Sequence, residues 1–152
     1  MIDGLASGLG AASLYPFGGP PWLPFQRWAQ KADRVFVSPL GILIHPEFGL
    51  WHSYRGALAF RERLDLPVAA TQASPCGSCR EKPCLTRCPV SAFSGAGYDV
   101  TRCRAHISES AGAVCVDGGC LARLACPIGG GYRHDRGQAS FHMRAFRDGR
   151  DD

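Results

Sequence analysis

Residues 76 to 89 read Cys76-Gly-Ser-Cys79-Arg-Glu-Lys-Pro-Cys84-Leu-Thr-Arg-Cys88-Pro89, and this stretch decides the fold. Its cysteines follow the spacing Cys-x2-Cys-x4-Cys-x3-Cys, and a proline comes directly after the last of them. Thiolates this close in sequence suit the corners of an iron–sulfur cube, because one loop can reach several irons before the proline turns the chain away. The run therefore indicates iron–sulfur chemistry and, with it, electron transfer.

A second set of cysteines repeats this pattern at looser spacing. Its members are Cys103, Cys115, Cys120 and Cys126, and Pro127 follows the last. Two sets of four cysteines that each end in Cys-Pro meet the needs of a protein with two 4Fe-4S clusters. Such a pair of clusters would use all eight cysteines of the chain.

The proline after each set predicts which cysteines share a cluster. In two-cluster ferredoxins the cysteine of a Cys-Pro pair ligates the neighbouring cluster, because the proline ends the binding loop and the chain carries that thiolate away. We therefore assign one 4Fe-4S cluster to Cys76, Cys79, Cys84 and Cys126. The other 4Fe-4S cluster is assigned to Cys88, Cys103, Cys115 and Cys120.

Zinc and disulfides are the alternatives for a chain with this many cysteines. Structural zinc sites usually combine two separated cysteine pairs, and the spacings after Cys84 and after Cys115 do not match such pairs. A disulfide framework is typical of secreted chains, whereas residues 1–10 show neither the basic nor the uninterrupted apolar part of a signal peptide. Clusters are favoured, and a structural zinc-binding interaction module is kept as an alternative.

Composition agrees with a small cluster protein. The chain has 152 residues, 45% of them hydrophobic, which is enough for one modest core that bound clusters would reinforce. No stretch has the apolar length of a membrane span, and we expect a soluble, cytoplasmic protein in which thiols stay reduced.

The formal net charge of +4 counts every cysteine as neutral. A 4Fe-4S cluster held by four thiolates carries about −2, so two of them bring the total to about zero. We therefore expect the basic residues to serve as counter-charges, and we do not expect a nucleic-acid surface. Six cations within a few residues of a cysteine would stabilise thiolates and raise cluster potentials: Arg80, Lys82, Arg87, Arg102, Arg104 and Arg123.

Local patterns predict a small α+β, ferredoxin-like fold with short helices, few short strands and much irregular loop. Residues 1–37 are expected to form an N-terminal helix and a Pro/Gly-rich segment that pack on the core, residues 38–131 the two-cluster domain, and residues 132–152 a C-terminal tail that docks and frays at its end. We predict helices over Met1–Ala12, Phe25–Ala32, Arg102–Ser108 and Leu121–Ala125. We predict strands over Val35–Val37 and Ile42–Ile44, and a strand or helix over Leu58–Leu64.

Smaller features receive structural interpretations. His45 is expected to bond to backbone at the end of a strand, and Gly129–Gly131 to form a tight turn, because it lacks the Gly-Lys-Ser/Thr ending of a phosphate loop. The three tryptophans are assigned to the core. The sequence contains no pattern that supports hydrolytic catalysis.

The order of motifs resembles a known family. Ser38 to Trp51, the first cysteine run, Tyr98 to Cys103 and the remaining cysteines up to Pro127 are similar to the C-terminal iron–sulfur half of epoxyqueuosine reductase. They are also similar to the cluster domains of cobalamin-dependent reductive dehalogenases. The resemblance implies that the eight cysteines ligate two 4Fe-4S clusters with the same cross-ligation. In that family the clusters pass electrons singly to a cobalamin.

Two departures from the family shape the functional hypothesis. The loop from Cys79 to Cys84 and the gaps from Cys115 to Cys126 are longer than the family pattern, and the residues before Ser38 leave no room for a cobalamin domain. We therefore expect a stand-alone electron carrier that exchanges electrons with partner proteins and has no catalytic site of its own. The alternative is the electron-delivery part of a cobalamin-dependent reductase that another polypeptide or a longer N-terminal region completes.

Overall fold

The computed structural model describes residues 1–67 and 72–149. Its helices are α1 (Ile2–Gly8), α2 (Phe25–Ala32), α3 (Pro75–Ser78), α4 (Pro83–Thr86), α5 (Val100–Ser108), α6 (Ala113–Gly118), α7 (Leu121–Leu124) and α8 (Arg136–Asp148). Its strands are β1 (Ala12–Leu14), β2 (Phe36–Val37), β3 (Leu43–Ile44), β4 (Ala57–Ala59), β5 (Phe93–Ser94) and β6 (Gly97–Tyr98). Short helices, three two-stranded antiparallel sheets and long connections confirm the predicted α+β class.

The chain forms two compact units, each assembled from two stretches of sequence. The N-terminal unit comprises Met1–Arg34 and Ser53–Ala73. The cysteine unit comprises Val35–His52 and Ser74–Asp152, and it contains all eight cysteines.

The N-terminal unit begins with a shorter helix than the sequence suggests. α1 ends at Gly8, and Gly10 follows in a left-handed conformation with φ of 64°, so the chain can turn into β1. β1 pairs antiparallel with β4, which lies more than 40 residues further along the chain. The prediction of helix up to Ala12 was therefore wrong, because a strand partner this distant leaves no local pattern.

Burial in this unit also corrects one expectation, the packing of its aromatic side chains. Ala6 is the buried side chain of α1, whereas Leu5 and Leu9 are more than half exposed. Phe17 and Trp22, which were expected to pack, are 66% and 69% exposed. α2 spans the predicted residues and buries Phe25 and Ala29.

A hairpin and a buried histidine begin the cysteine unit. β2 and β3 lie within the two predicted strands and pair antiparallel, and a turn joins Ser38 to Gly41. His45 is 4% exposed, and its Nδ1 accepts hydrogen bonds from the backbone N–H groups of Glu47 at 3.0 Å and Phe48 at 3.2 Å. The predicted backbone role of His45 is confirmed.

The core of this unit is built around cysteines. Its buried members are Leu40, Ile44, Leu50, Ala122 and Cys126, and four further cysteines pack against them. A second buried group joins Ile107 of α5 to Cys115 and Val116 of α6. Cysteines therefore belong to both buried groups of this unit.

The C-terminal segment forms a helix that the sequence analysis did not predict. α8 begins at the N-cap Asp135, whose carboxylate accepts a hydrogen bond from the backbone N–H of Gln138 at 2.8 Å. It packs on α6 and α5, with Met143 and Phe146 against the second buried group. The tail therefore docks as predicted, and its last residues lie outside the described part of the chain.

Among residues 1–67 and 72–149, the helices are all too short or too polar to cross a lipid bilayer.

Candidate metal centre

One pocket of the cysteine unit brings four thiols together. It encloses about 310 Å3, including its opening to solvent. Its cysteines are Cys76, Cys79, Cys84 and Cys126. The remaining lining residues are Pro39, Ile44, Pro75, Lys82, Pro83, Pro127 and Ile128. Apart from Lys82 this wall is apolar, so the thiols are its principal metal-binding groups. We call it the first pocket.

Prolines and a strained turn shape the first pocket. The hydroxyl of Ser74 accepts a hydrogen bond from the N–H of Cys76 at 3.3 Å and caps α3, which Pro75 begins. Lys82 then adopts a left-handed φ of 42°, and Pro83 starts α4. The longer loop between Cys79 and Cys84 is thus taken up by this turn, which returns the chain to the same pocket.

A second pocket gathers the other four thiols. It encloses about 300 Å3, again including its opening. Its cysteines are Cys88, Cys103, Cys115 and Cys120. The remaining lining residues are Pro89, Val90, Phe93, His106, Ile107, Leu121, Ala122 and Met143. We call it the second pocket. The two sets of four are those that the Cys-Pro rule predicts, while their binding of clusters stays a prediction.

Helices α4 and α7 explain why the cysteine of each Cys-Pro pair lies in the pocket of the other set. α4 begins beside Cys84 of the first pocket, and the chain leaving it supplies Cys88 to the second. α7 begins after Cys120 of the second pocket, and the chain leaving it supplies Cys126 to the first. The two helices pack against each other, with Ala122 of α7 only 1% exposed. They therefore run in opposite senses between the pockets and tie them into one unit.

The pockets differ from a site for a single ion. In the described part of the chain, no group of three or more His, Cys, Asp or Glu side chains is placed to hold one metal ion. A tetrahedral zinc site draws four thiolates to about 2.3 Å from one centre. A cubane instead binds each thiolate at a separate iron, so its ligands surround a wider space. Each pocket supplies four thiols, the number that a tetrahedral zinc site or a cubane takes.

The surroundings of the thiols favour their protonated form. Burial raises the pKa of Cys76 and Cys84 in the first pocket, and the other thiols of that pocket raise it further. Burial likewise raises the pKa of Cys103, Cys115 and Cys120, and thiols of the second pocket add to the rise. Ionised thiolates therefore need a compensating positive charge, and metal binding would release protons.

Hydrogen-bond donors contact several of the sulfurs. The N–H of Ala92 donates to Sγ of Cys88 at 3.3 Å. At Cys120 burial raises the pKa, and hydrogen bonds from the N–H groups of Arg123 and Ala122 lower it. At Cys103 burial again raises the pKa, and the hydroxyl of Tyr98 opposes it by donating to the sulfur. Such bonds stabilise negative charge on sulfur and tune the potentials of clusters.

Known proteins offer no match. Comparisons of the chain with protein-family models, curated proteins and solved structures found none that matches. The resemblance to the cluster half of epoxyqueuosine reductase therefore stays a hypothesis.

Two of the six cations predicted near cysteines stand beside the thiols. Lys82 lines the first pocket. Burial lowers the pKa of Arg123, and the charge of Cys120 raises it, so the two groups interact. The guanidinium lies 4.3 Å from the centre of the Trp51 ring, and Nε and Nη2 both donate to the carbonyl oxygen of Leu50. These contacts hold a positive charge next to the second pocket.

Other cations from that prediction have different partners. Arg102 pairs with Asp99 at 3.5 Å. Arg104 donates to the carbonyl oxygen of Phe146 at 3.2 Å and stacks on its ring. Arg80 and Arg87 are exposed.

His106 is a lining residue that the sequence analysis did not assign to the site. It follows Cys103 by three positions on α5, and residues three apart share a helix face. Both side chains accordingly line the second pocket. The helical spacing from Cys103 was the signal that could have identified it.

A pair of glycines fixes the chain after Cys126. Gly129 has a φ of 72°, and a Cβ there would overlap the backbone of Phe48 and Gly49. Gly49 has a φ of 60°, and a Cβ there would overlap the carbonyl group of Ile128. The predicted turn after the second Cys-Pro is confirmed, since Gly130–Tyr132 forms a 3-10 turn. This close approach of two backbones holds Cys126 and Ile128 in the wall of the first pocket.

Proposed function

We propose that the chain is an electron-transfer protein that binds one 4Fe-4S cluster in each pocket. The proposal rests on the division of eight cysteines into two pockets of four. The cysteine of each Cys-Pro pair, Cys88 or Cys126, lies in the pocket of the other set. Each pocket supplies the four thiolates that a cubane needs. A zinc module is disfavoured, because the spacings after Cys84 and after Cys115 do not match the separated cysteine pairs of structural zinc sites.

The linkage of the pockets favours electron transfer over a purely structural role. Cys84 and Cys88 lie four residues apart across α4, a path of about 6 Å along a helix axis. Clusters joined by so short a connection can exchange electrons with each other. Most of the thiols are only partly buried, so an electron can also enter or leave at the protein surface.

The chain's own groups would hold the clusters and set their charge balance. The clusters supply one-electron redox chemistry when bound. The thiolates fix their positions, and the N–H groups of Ala92, Ala122 and Arg123 together with the Tyr98 hydroxyl donate to sulfur. The cation of Arg123 offsets negative charge at Cys120, and this favours the reduced state of the second cluster.

The proposed function calls for partners and a reducing compartment. The chain would take electrons from one redox protein and pass them to another, with the cytoplasm as its location. A cobalamin-dependent reductase remains one class of acceptor that the resemblance suggests.

The test is the metal content of anaerobically purified protein. We expect about eight irons and eight acid-labile sulfides per chain, with a brown colour and negligible zinc, because two 4Fe-4S clusters would account for all eight cysteines. A colourless, zinc-loaded protein that takes up no iron after anaerobic cluster reconstitution would refute the proposal.

A further prediction concerns Arg123. Arg123→Gln removes the cation beside Cys120, and we expect the potential of the second cluster to fall by on the order of 60 mV, a tenfold change in a one-electron equilibrium. Arg123→Lys is the matched control, because it keeps the charge and loses the guanidinium contacts with Leu50 and Trp51. Equal potentials in the Gln variant and the wild type, by EPR-monitored redox titration, would show that the charge has no electrostatic role.

A further inference from the structure

His106 lines the second pocket and has a buried ring nitrogen without a partner among the described residues. Its Nε2 is buried and has no hydrogen-bond partner in the part of the chain that the structure describes. The side chain lines the pocket together with Cys88, Cys103, Cys115 and Cys120. A buried polar atom without a partner is unfavourable, so a partner inside the pocket is favoured.

The chemistry of a loaded pocket determines which partner that is. Four thiolates and the inorganic sulfides of a cubane are hydrogen-bond acceptors only. A neutral imidazole facing them gains a hydrogen bond only in the tautomer that carries its hydrogen on Nε2. The loaded pocket would therefore select Nε2–H, and the ring would donate toward sulfur.

We propose that His106 is a positioning residue that donates a hydrogen bond from Nε2 to a sulfur atom of the cluster in the second pocket. This inference rests on the proposed function, since it needs the cluster. The bond withdraws negative charge from sulfur and therefore stabilises the reduced cluster more than the oxidised one. His106 thus raises the potential of the second cluster.

The two pockets differ in this respect. Among the described residues that line the first pocket there is no histidine, and its one charged residue apart from the thiols is Lys82. The second pocket combines His106 with the nearby Arg123. We therefore expect the second cluster to have the higher potential of the two, so that an electron shared by the pair rests mainly on it.

The first test compares potentials in two variants. His106→Leu keeps an apolar group of similar bulk and removes the donor, while His106→Gln keeps an N–H at similar reach. By redox titration followed by EPR, we expect His106→Leu to lower the equilibrium constant for reduction of the second cluster about tenfold. Its potential should therefore fall by about 59 mV for one electron. We expect His106→Gln to retain most of the wild-type potential, and the first cluster to stay unchanged in both as the internal control.

The second test uses the wild-type protein, with cluster-loaded His106→Gln as its control. Histidine labelled with 15N should give a nitrogen hyperfine coupling in pulsed EPR of the reduced second cluster, and that coupling should disappear in His106→Gln. Absence of the coupling, or unchanged potentials in a fully loaded His106→Leu protein, would overturn the role of His106 and leave the cluster proposal standing. Failure of the wild type to bind iron and sulfide would instead overturn the proposed function itself.

Discussion

Cys126→Ser is expected to damage the same cluster as Cys84→Ser, although Cys120 is its closest cysteine in sequence. Cys126 lines the first pocket with Cys84, whereas Cys120 lines the second. A serine oxygen is a poor ligand for iron in place of a thiolate, so each variant should lose one cluster and keep the other. Iron should fall from about eight to about four per chain.

The test is to compare the EPR spectra of reduced Cys84→Ser, Cys126→Ser, Cys88→Ser and Cys120→Ser proteins. The spectra should fall into two pairs, with Cys126→Ser resembling Cys84→Ser and Cys120→Ser resembling Cys88→Ser. Each pair serves as the control for the other, since all four carry the same chemical change. If Cys126→Ser and Cys120→Ser remove the same signal, the assignment of Cys126 to the first cluster and of Cys120 to the second is wrong.

Gly129→Ala is expected to prevent binding of the first cluster and to destabilise the protein. The added Cβ would overlap the backbone of Phe48 and Gly49, and φ of 72° is itself unfavourable for alanine. Since backbone atoms cannot move aside as a flexible side chain can, the segment carrying Cys126 and Ile128 must shift. We expect a loss of more than about 1 kcal/mol in the free energy of unfolding.

Gly130→Ala is the matched control for this substitution. A Cβ at Gly130 has no atom within 4 Å, and the same turn contains both residues. Its stability should lie within about 0.5 kcal/mol of the wild type, with iron content unchanged. The two variants are compared by thermal unfolding and iron analysis. Equal melting temperatures with full iron content in both would refute the role of the Gly49–Gly129 contact.

Local chemistry accounts for what the sequence predicted well. The α2 boundaries follow from short-range patterns. The helix predicted over Arg102–Ser108 does too, and it is capped by the carboxylate of Asp99, which accepts from the N–H of Arg102 at 2.8 Å. The grouping of the cysteines is also local in origin, because a proline after a cysteine ends the loop that binds its own set.

What the sequence missed depends on distant partners. β1 forms only because β4 returns to it, and neither strand has an alternating pattern long enough to be read alone. In α8, only Ala139, Met143 and Phe146 form the apolar stripe, at spacings of four and three, among many polar residues. The partners of Arg104 and Arg123 are backbone carbonyls far along the chain, so proximity to a cysteine in sequence did not predict their contacts.

EPR spectroscopy of the anaerobic, dithionite-reduced protein tests the central claim most directly. Two reduced 4Fe-4S clusters separated by one short helix should interact magnetically. We therefore expect a broadened, split signal that integrates to about two spins per chain and simplifies to a single-cluster spectrum in Cys84→Ser. A reduced protein that retains its iron but gives the signal of one isolated cluster, or a zinc-loaded protein with no signal, would contradict the account.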